Sequence, residues 1–238
     1  MRLSFALVLL SVLTSLACDN VISRKYEYEE EVFLALDGSA TVYVNASLPA
    51  LVALRGFTLP LDPAARLDRM VVRDLYTTPV SQVASVTASR KEGRRYVHLR
   101  LTVPDIRRLH EAAPFAWSTY QYLEGDAQFE FTQVMGAAAG QQVGNVGWEG
   151  DELIAVRLHL PSVVDFHNSP SRKVERGNIV VWEQPLAERI KGMPLEIQAR
   201  MEKESILFRT LALFAAMAVL AAATFIGFIW FVKTRNAS

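Results

Sequence analysis

The sequence predicts an α+β fold: a mostly antiparallel sheet with two or three helices on one face, followed by one C-terminal transmembrane helix. Three observations predict this fold. Several segments alternate apolar with polar residues, short turn motifs lie between them, and an uncharged apolar run occupies residues 211–232. Residues 26–205 are long enough for a domain with its own core, and we expect one domain there.

Residues 1–17 predict a secretory signal peptide. Arg2 precedes an apolar stretch at residues 3–13, and small residues follow around position 17. This stretch is shorter than the roughly 20 residues that cross a bilayer. We therefore expect the segment to be cleaved rather than retained.

Cys18 is the single cysteine of the chain and directly follows the signal peptide. One thiol forms no internal disulfide and supplies no multi-sulfur metal site. The stretch TSLAC at residues 14–18 resembles the lipobox of bacterial lipoproteins, although Ser15 stands where leucine is commoner. The resemblance implies lipidation of Cys18 and a lipidated tether at residues 18–25. The alternative is ordinary cleavage beside an incidental cysteine. If Cys18 is lipidated, Asp19 directly after it resembles a signal for retention in the inner membrane of Gram-negative bacteria.

Three segments show the two-residue period of strands with one buried face, at residues 40–47, 96–103 and 195–204. Such strands are typical of antiparallel sheets with one solvated face. Asp37-Gly38 is a strong hairpin signal, because both central residues of its turn adopt positive φ. Gly93 and Gly125 predict further turns between strands.

Two helices are expected to interrupt the strands, and a third short one is expected at residues 185–191. The first covers residues 62–76, with Asp62 as its cap and Pro63 in its first turn. Its predicted buried stripe contains Ala64, Leu67, Met70, Val71 and Leu75. The second is short, follows Pro104 and ends near residue 112.

The C-terminal region predicts a transmembrane helix at residues 206–232 and a short cytoplasmic tail at residues 233–238. The uncharged part suffices to cross roughly 30 Å of hydrocarbon. Trp230 lies where an interfacial aromatic anchor is expected, and Lys233 and Arg235 place the tail in the cytoplasm by the positive-inside rule. We therefore expect a single-pass protein of the cytoplasmic (inner) membrane, with its main domain extracytoplasmic and almost no linker before the membrane.

Catalytic and metal-binding patterns are weak. His159, Asp165 and His167 lie close in sequence. Arg157 shares a face with His159, however, and its positive charge disfavours binding of a metal cation there. The chain contains neither H-E-x-x-H nor G-x-S-x-G. The consecutive Glu29, Glu30 and Glu31 are interpreted as an exposed charged edge. We expect no enzymatic activity, no catalytic residue, no metal ligand and no cofactor, and zero net charge argues against nucleic-acid binding.

A glycine-rich stretch at residues 135–151 allows two interpretations. It is either a long flexible connection or a mobile loop that contacts lipid or a partner, since loops of this length in compact domains are often functional or disordered.

Features at residues 155–186 resemble the LppM-like group of bacterial membrane-anchored lipoproteins. A strand ending at Leu160-Pro161 precedes a polar loop with Asn168, and a turn at residues 177–178 leads into a strand with Trp182. Together with the hairpin, lipobox and terminal helix, these features cover residues 26–232 in order. The resemblance implies an extracytoplasmic α+β domain, no known catalytic residues and a role with lipids or envelope components. Asn168 and Trp182 are expected to be structural.

We therefore expect a membrane-anchored lipoprotein whose domain binds lipid, or another apolar envelope component, between its sheet and helices. The expected partners are membrane lipids. The alternative is an interaction subunit of a membrane complex, with a membrane protein as partner. Small residues in the terminal helix favour that alternative because they let two helices approach closely.

Overall fold

The structure is a computed structural model that describes residues 24–62 and 64–235, with side chains described except at residues 231–234. The strands are β1 Tyr26–Leu34, β2 Ala40–Ser47, β3 Gln82–Lys91, β4 Arg94–Val103, β5 Ser118–Glu124, β6 Gln128–Met135, β7 Leu153–His159, β8 Ser162–His167, β9 Val174–Glu175, β10 Ile179–Pro185 and β11 Leu195–Ser205. The helices are α1 Leu48–Arg55, α2 Arg69–Tyr76, α3 Leu186–Ile190 and α4 Ile206–Arg235, with 3₁₀ turns at Ile106–Glu111 and Ala113–Phe115.

The strands form two sheets. A seven-stranded sheet has the order β3-β4-β2-β1-β7-β10-β9, and a four-stranded sheet has the order β5-β6-β11-β8. The neighbours β1 and β7 are parallel, whereas the other paired strands are antiparallel. The predicted α+β class with mostly antiparallel pairing is confirmed, although two sheets replace the one expected.

The predicted hairpins are present. Between β1 and β2, Gly38 has φ 84° but Asp37 does not have positive φ, so the expectation of two positive φ values was wrong for this turn. The Asp37 carboxylate accepts the Ser39 N–H at 2.9 Å. The β3–β4 turn places Glu92 at φ 50° and Gly93 at φ 75°. Two consecutive positive φ values define the tight turn that fits the twist of a hairpin.

The first predicted helix is shorter than expected. α2 begins at Arg69, and Asp68 is its N-cap, accepting the Met70 N–H at 2.8 Å. Asp62 caps only a separate turn, where it accepts the Ala64 N–H at 2.8 Å. The aspartate next to the helical segment therefore defines its start, as N-cap chemistry favours.

The predicted apolar stripe of this helix was only partly right: Leu67 and Leu75 are half-buried against the core, whereas Ala64, Met70 and Val71 are exposed. Val72 and Tyr76, four residues apart, point into the core. Met70 and Val71 are 57% and 46% exposed. Because α2 is polar overall, its two largest buried contacts decide its rotation rather than the count of apolar residues.

Helix α1 was not predicted. Ser47 Oγ, at the end of β2, accepts the Ala50 N–H at 3.1 Å, and Gly56 ends the helix with φ 72°. Leu48 through Leu54 are all buried, so α1 shows no polar face. A helix that is apolar all round has no amphipathic period by which sequence analysis would find it.

The core lies on one face of the seven-stranded sheet, which α1 and the four-stranded sheet cover. Its largest fully buried side chains include Trp182, Tyr28, Phe115, Phe131 and Leu51. The opposite face carries partly exposed polar side chains in β1 and β2. One face is therefore dry and the other solvated, as the alternation of β2 and β4 predicts.

Candidate functional site

The solvated face of β1 and β7 carries the histidine that invited a metal interpretation. His159 Nε2 lies 2.6 Å from Glu31 Oε1, and its ring stacks on Phe33 with centroids 3.8 Å apart. Beside this pair, Arg157 Nη2 lies 3.1 Å from Glu29 Oε1. Within residues 24–62 and 64–235, no group of three or more His, Cys, Asp or Glu side chains is arranged to hold a metal.

The interpretation of residues 29–31 as a charged edge was wrong. β1 lies in the middle of its sheet, and Glu30 is completely buried. Glu30 Oε1 accepts hydrogen bonds from Gln133 Nε2 at 2.9 Å and Tyr120 Oη at 3.1 Å, and Oε2 accepts one from Tyr28 Oη at 3.0 Å. Burial raises the pKa of Glu30, and these three donors partly oppose that rise. The Glu30 cluster, as we name these four residues, joins the two sheets.

Two arginines flank the same region. The guanidinium carbons of Arg55 and Arg189 lie 4.2 and 5.0 Å from the centroid of the Trp117 ring. Arg189 is fully buried and donates to the carbonyl of Met135 at 3.1 Å. Burial lowers the pKa of both arginines. Because Arg189 is fully buried, its contact with Trp117 stabilises the packing of α3 against the core.

An exposed depression lies between α2 and the β3–β4 hairpin. It comprises two adjoining parts of about 640 and 520 Å³ that share Arg66, Leu67 and Arg69. We call it the arginine groove. Its charged lining consists of Asp68 and the arginines Arg66, Arg69, Arg73, Arg90 and Arg95.

The arginine groove also has an apolar part. Leu67, Met70 and Val86 line one end, and Ala88 lies towards the other. Val86 pairs with Leu99 in the β3–β4 ladder and so shares the core-facing side of the sheet. The groove is therefore an uncovered extension of the core layer with a cationic rim.

The groove was missed in the sequence because its arginines come from two distant segments, near residues 66–73 and 90–95. One signal was present: Arg90 and Arg95 flank the predicted hairpin turn at Gly93 symmetrically. Cross-strand pairing places such residues directly opposite each other.

Helix α4 has the length and composition of a membrane-spanning segment. Ile206–Trp230 comprises 25 residues, and none of its apolar core window is buried inside the domain. Helix geometry gives this segment about 37 Å, more than the roughly 30 Å of a bilayer core. The structure thus supports a candidate transmembrane helix, in agreement with the prediction.

The junction between β11 and α4 contains no linker. β11 ends at Ser205 and α4 begins at Ile206, whose N–H donates to the Pro161 carbonyl at 3.1 Å. Arg209, in the first turn, lies 3.1 Å from Glu204 Oε2 and also pairs with Glu202. The helix is therefore attached to the four-stranded sheet by side-chain and backbone contacts.

The two residues expected to be structural contact each other. Trp182 is 1% exposed and donates from Nε1 to Asn168 Oδ1 at 2.8 Å. The same oxygen accepts the Gln198 N–H at 2.9 Å. Asn168 therefore connects β10 of the large sheet with β11 of the small one.

The glycine-rich stretch connects β6 to β7 without regular structure, yet hydrogen bonds hold it. Ala139 N–H donates to the Leu54 carbonyl at 2.9 Å at the end of α1, and Arg94 Nη1 donates to the Gly147 carbonyl at 2.9 Å. The loop thereby satisfies a helix-terminal carbonyl that would otherwise lack a partner. A contact role for this loop stays a prediction.

Cys18, the signal peptide and most of the tether lie outside the described residues, so lipidation stays a prediction.

No family profile matches the sequence, and no curated protein is similar to it at a significant level. Among solved structures, the chain is similar to the NMR structure of the folded domain of LppM from Mycobacterium tuberculosis. The identity is 13%, the TM-score is 0.40, and the match covers 77% of this chain and 94% of that domain. At this TM-score the likeness supports no functional argument, and membership of the LppM-like group stays a prediction.

Proposed function

We propose that this protein is a membrane-anchored bacterial lipoprotein of the cytoplasmic membrane, whose extracytoplasmic domain binds a lipid or another envelope component without catalysis. The observation that carries the proposal is α4: its apolar surface is exposed and it continues directly from β11. An apolar helix of this length is stable in a bilayer and unfavourable in water. The binding function follows from the exposed arginine groove close to the core layer.

The ligand was expected to bind between the sheet and the helices. The arginine groove, between α2 and the β3–β4 hairpin, is a part of that region that is open to solvent. Buried side chains of α1 and the four-stranded sheet cover much of the rest of that side of the large sheet. A smaller cavity of about 140 Å³ lies beside Leu48 of α1 and Arg95. Glu30, the buried acid of β1, is enclosed by Tyr28, Tyr120 and Gln133 and is given a structural role in this proposal.

Topology tests the proposal first. Protease added to intact spheroplasts that express the full chain should digest residues 26–205 and leave a fragment containing α4. Protection of the domain together with digestion of the tail would contradict the proposed orientation.

Lipidation is tested separately by palmitate labelling of the wild-type chain and of Cys18→Ser. Labelling that persists in Cys18→Ser would contradict lipidation at Cys18.

Lipid binding requires a second experiment. The full chain is purified in a neutral detergent and its co-purified lipids are identified by mass spectrometry. The control is α4 fused to an unrelated soluble domain, which reports lipids bound around the helix alone. A lipid enriched on the full chain but not on the control supports binding by the domain, and identical lipid profiles would contradict it.

A second candidate function is an interaction subunit of a membrane complex. Small side chains in α4 favour it, since they permit close helix packing. They are Ala215, Ala216, Ala218, Ala221, Ala222 and Ala223. A stoichiometric membrane protein recovered with the full chain, and lost when Ala218 and Ala222 are replaced by leucine, would favour this function.

A further inference from the structure

The arginine groove contains more positive charge than its acidic residues neutralise. Within the described part of the chain, Arg66, Arg69 and Arg90 form no ion pair with a carboxylate. Asp68, the only acid in the lining, already accepts the Met70 N–H as the cap of α2. The groove is therefore electrostatically suited to an anion.

The strand register adds a like-charge contact. Arg90 and Arg95 are direct cross-strand partners in the β3–β4 ladder. Like charges directly opposite each other destabilise a sheet. An anion bound beside both guanidinium groups would offset this repulsion.

Backbone carbonyls of the loop before α2 hold the Arg95 side chain in place. It is 6% exposed, its Nη1 donates to the Ala65 carbonyl at 2.6 Å, and its Nη2 donates to the Pro60 carbonyl. Burial, and secondarily Arg90, lowers the pKa of Arg95, while Asp62 acts in the opposite direction. A buried guanidinium bound only by neutral carbonyls is oriented in advance for a charged ligand.

The chemistry of the rim distinguishes among anions. An arginine fork matches phosphate oxygens in a bidentate manner, and a phosphate monoester presents about two charges and three acceptor oxygens. Arg66, Arg90 and Arg95 line the same part of the groove, so a phosphate bound there would face all three. A single peptide carboxylate has one charge and two oxygens, which leaves part of the rim unpaired.

Resting on the proposed ligand-binding function, we infer that the arginine groove binds a phosphate group between Arg66, Arg90 and Arg95. Met70 and Val86 in the other part, with Leu67 shared by both parts, provide contact for an apolar chain attached to that phosphate. The phosphate belongs either to a lipid headgroup or to a free phosphate compound, and the two sources differ in whether this apolar end contributes.

Calorimetric titration of the full chain in a neutral detergent tests the inference with three probes. These are dioctanoyl phosphatidic acid, dioctanoyl phosphatidylcholine and inorganic phosphate. Phosphatidic acid should bind at least about tenfold more tightly than phosphatidylcholine, whose choline cation repels the arginines. Inorganic phosphate that binds as tightly as phosphatidic acid would identify a free phosphate compound as the source; weaker binding would identify a lipid headgroup.

Variants locate the site. Arg66→Gln and Arg90→Gln leave the carbonyl contacts of Arg95 intact, and each should weaken phosphatidic acid binding by about tenfold. Arg176→Gln is the matched control: an exposed arginine near the opposite edge of the same sheet, whose substitution should leave binding unchanged. Circular dichroism should show the same fold in all three variants.

Three results would overturn the inference. They are equal affinity for phosphatidic acid and phosphatidylcholine, unchanged binding by Arg66→Gln and Arg90→Gln, and binding of a glutamate-rich peptide without binding of either phosphate probe. Equal binding of both lipids would leave the proposed lipid-binding function standing, so failure of this inference is distinguishable from failure of that function.

Discussion

Removing the buried carboxylate at Glu30 should destabilise the domain strongly. Glu30→Ala leaves three buried donors without an acceptor: Tyr28 Oη, Tyr120 Oη and Gln133 Nε2. Each buried group that loses its partner costs about 1–3 kcal/mol, so the total is about 3 kcal/mol or more before any cavity is counted. This is a large part of the roughly 5–15 kcal/mol that stabilises a typical domain.

Glu30→Gln separates hydrogen bonding from packing because it preserves the shape of the side chain. Its carbonyl oxygen can still accept from Tyr120 and Gln133, whereas the amide group now faces Tyr28. One of the three hydrogen bonds is disturbed, so we expect about 1–3 kcal/mol of destabilisation. Glu29→Ala is the control on the same strand, where a partly exposed ion pair with Arg157 should contribute under about 1 kcal/mol.

Urea unfolding of the full chain in neutral detergent, followed by tryptophan fluorescence, measures these differences. Trp117 and Trp182 lie in the domain and report on its core. The expected order of destabilisation is Glu30→Ala, then Glu30→Gln, then Glu29→Ala. If Glu30→Ala were no more destabilising than Glu29→Ala, solvent would satisfy the three donors, and the argument for a closed cluster would be refuted.

Three further predictions concern pH, a turn and the connection between sheets. Burial raises the pKa of Glu30, so the folded state keeps this proton to higher pH than the unfolded state does. The resulting stabilisation of the folded state is complete below the unfolded pKa and is lost as pH rises through the folded pKa. Urea unfolding of Glu30→Gln at a series of pH values should lack this pH dependence. Gly38→Ala should cost about 1–2 kcal/mol in urea unfolding, because φ is 84° and the new Cβ would lie 3.2 Å from Tyr122 Cδ1. Asn168→Ala should cost about 1–3 kcal/mol by the same measurement, because Trp182 Nε1 loses its acceptor, and a cost equal to that of an exposed alanine substitution would contradict this role.

The parts of the fold that sequence analysis predicted share strong local signals. β2 has the expected bounds because its alternation is unbroken. The turn after β1 forms where expected because Gly38 readily adopts positive φ. Helix α1 gave no such signal, since burial on every side removed its period. The parallel pairing of β1 with β7 joins strands more than 100 residues apart, and no local pattern specifies such a partner.

The site residues were less predictable than the fold for a related reason. Alternation correctly places Glu29 and Glu31 opposite Glu30, but it does not state which face is buried when all three side chains are charged. Burial of Glu30 depends on Tyr120 and Gln133, which the second sheet supplies from about 90 to 103 residues away. Likewise, the arginine groove requires the loop before α2 to fold back onto β3.

The junction between β11 and α4 connects the candidate transmembrane helix to both sheets of the domain. β11 pairs with β6 and β8 and then passes into α4 without a linker, so the helix and the small sheet are joined over two neighbouring strands. The Glu30 cluster and Asn168 bond the small sheet to the large one, whose far edge carries the arginine groove. α4 and the groove are therefore linked through hydrogen-bonded strands of both sheets. A second attachment at Cys18 would act on β1, which lies between the same two regions, and so would restrict the tilt of the domain rather than add to its retention in the membrane.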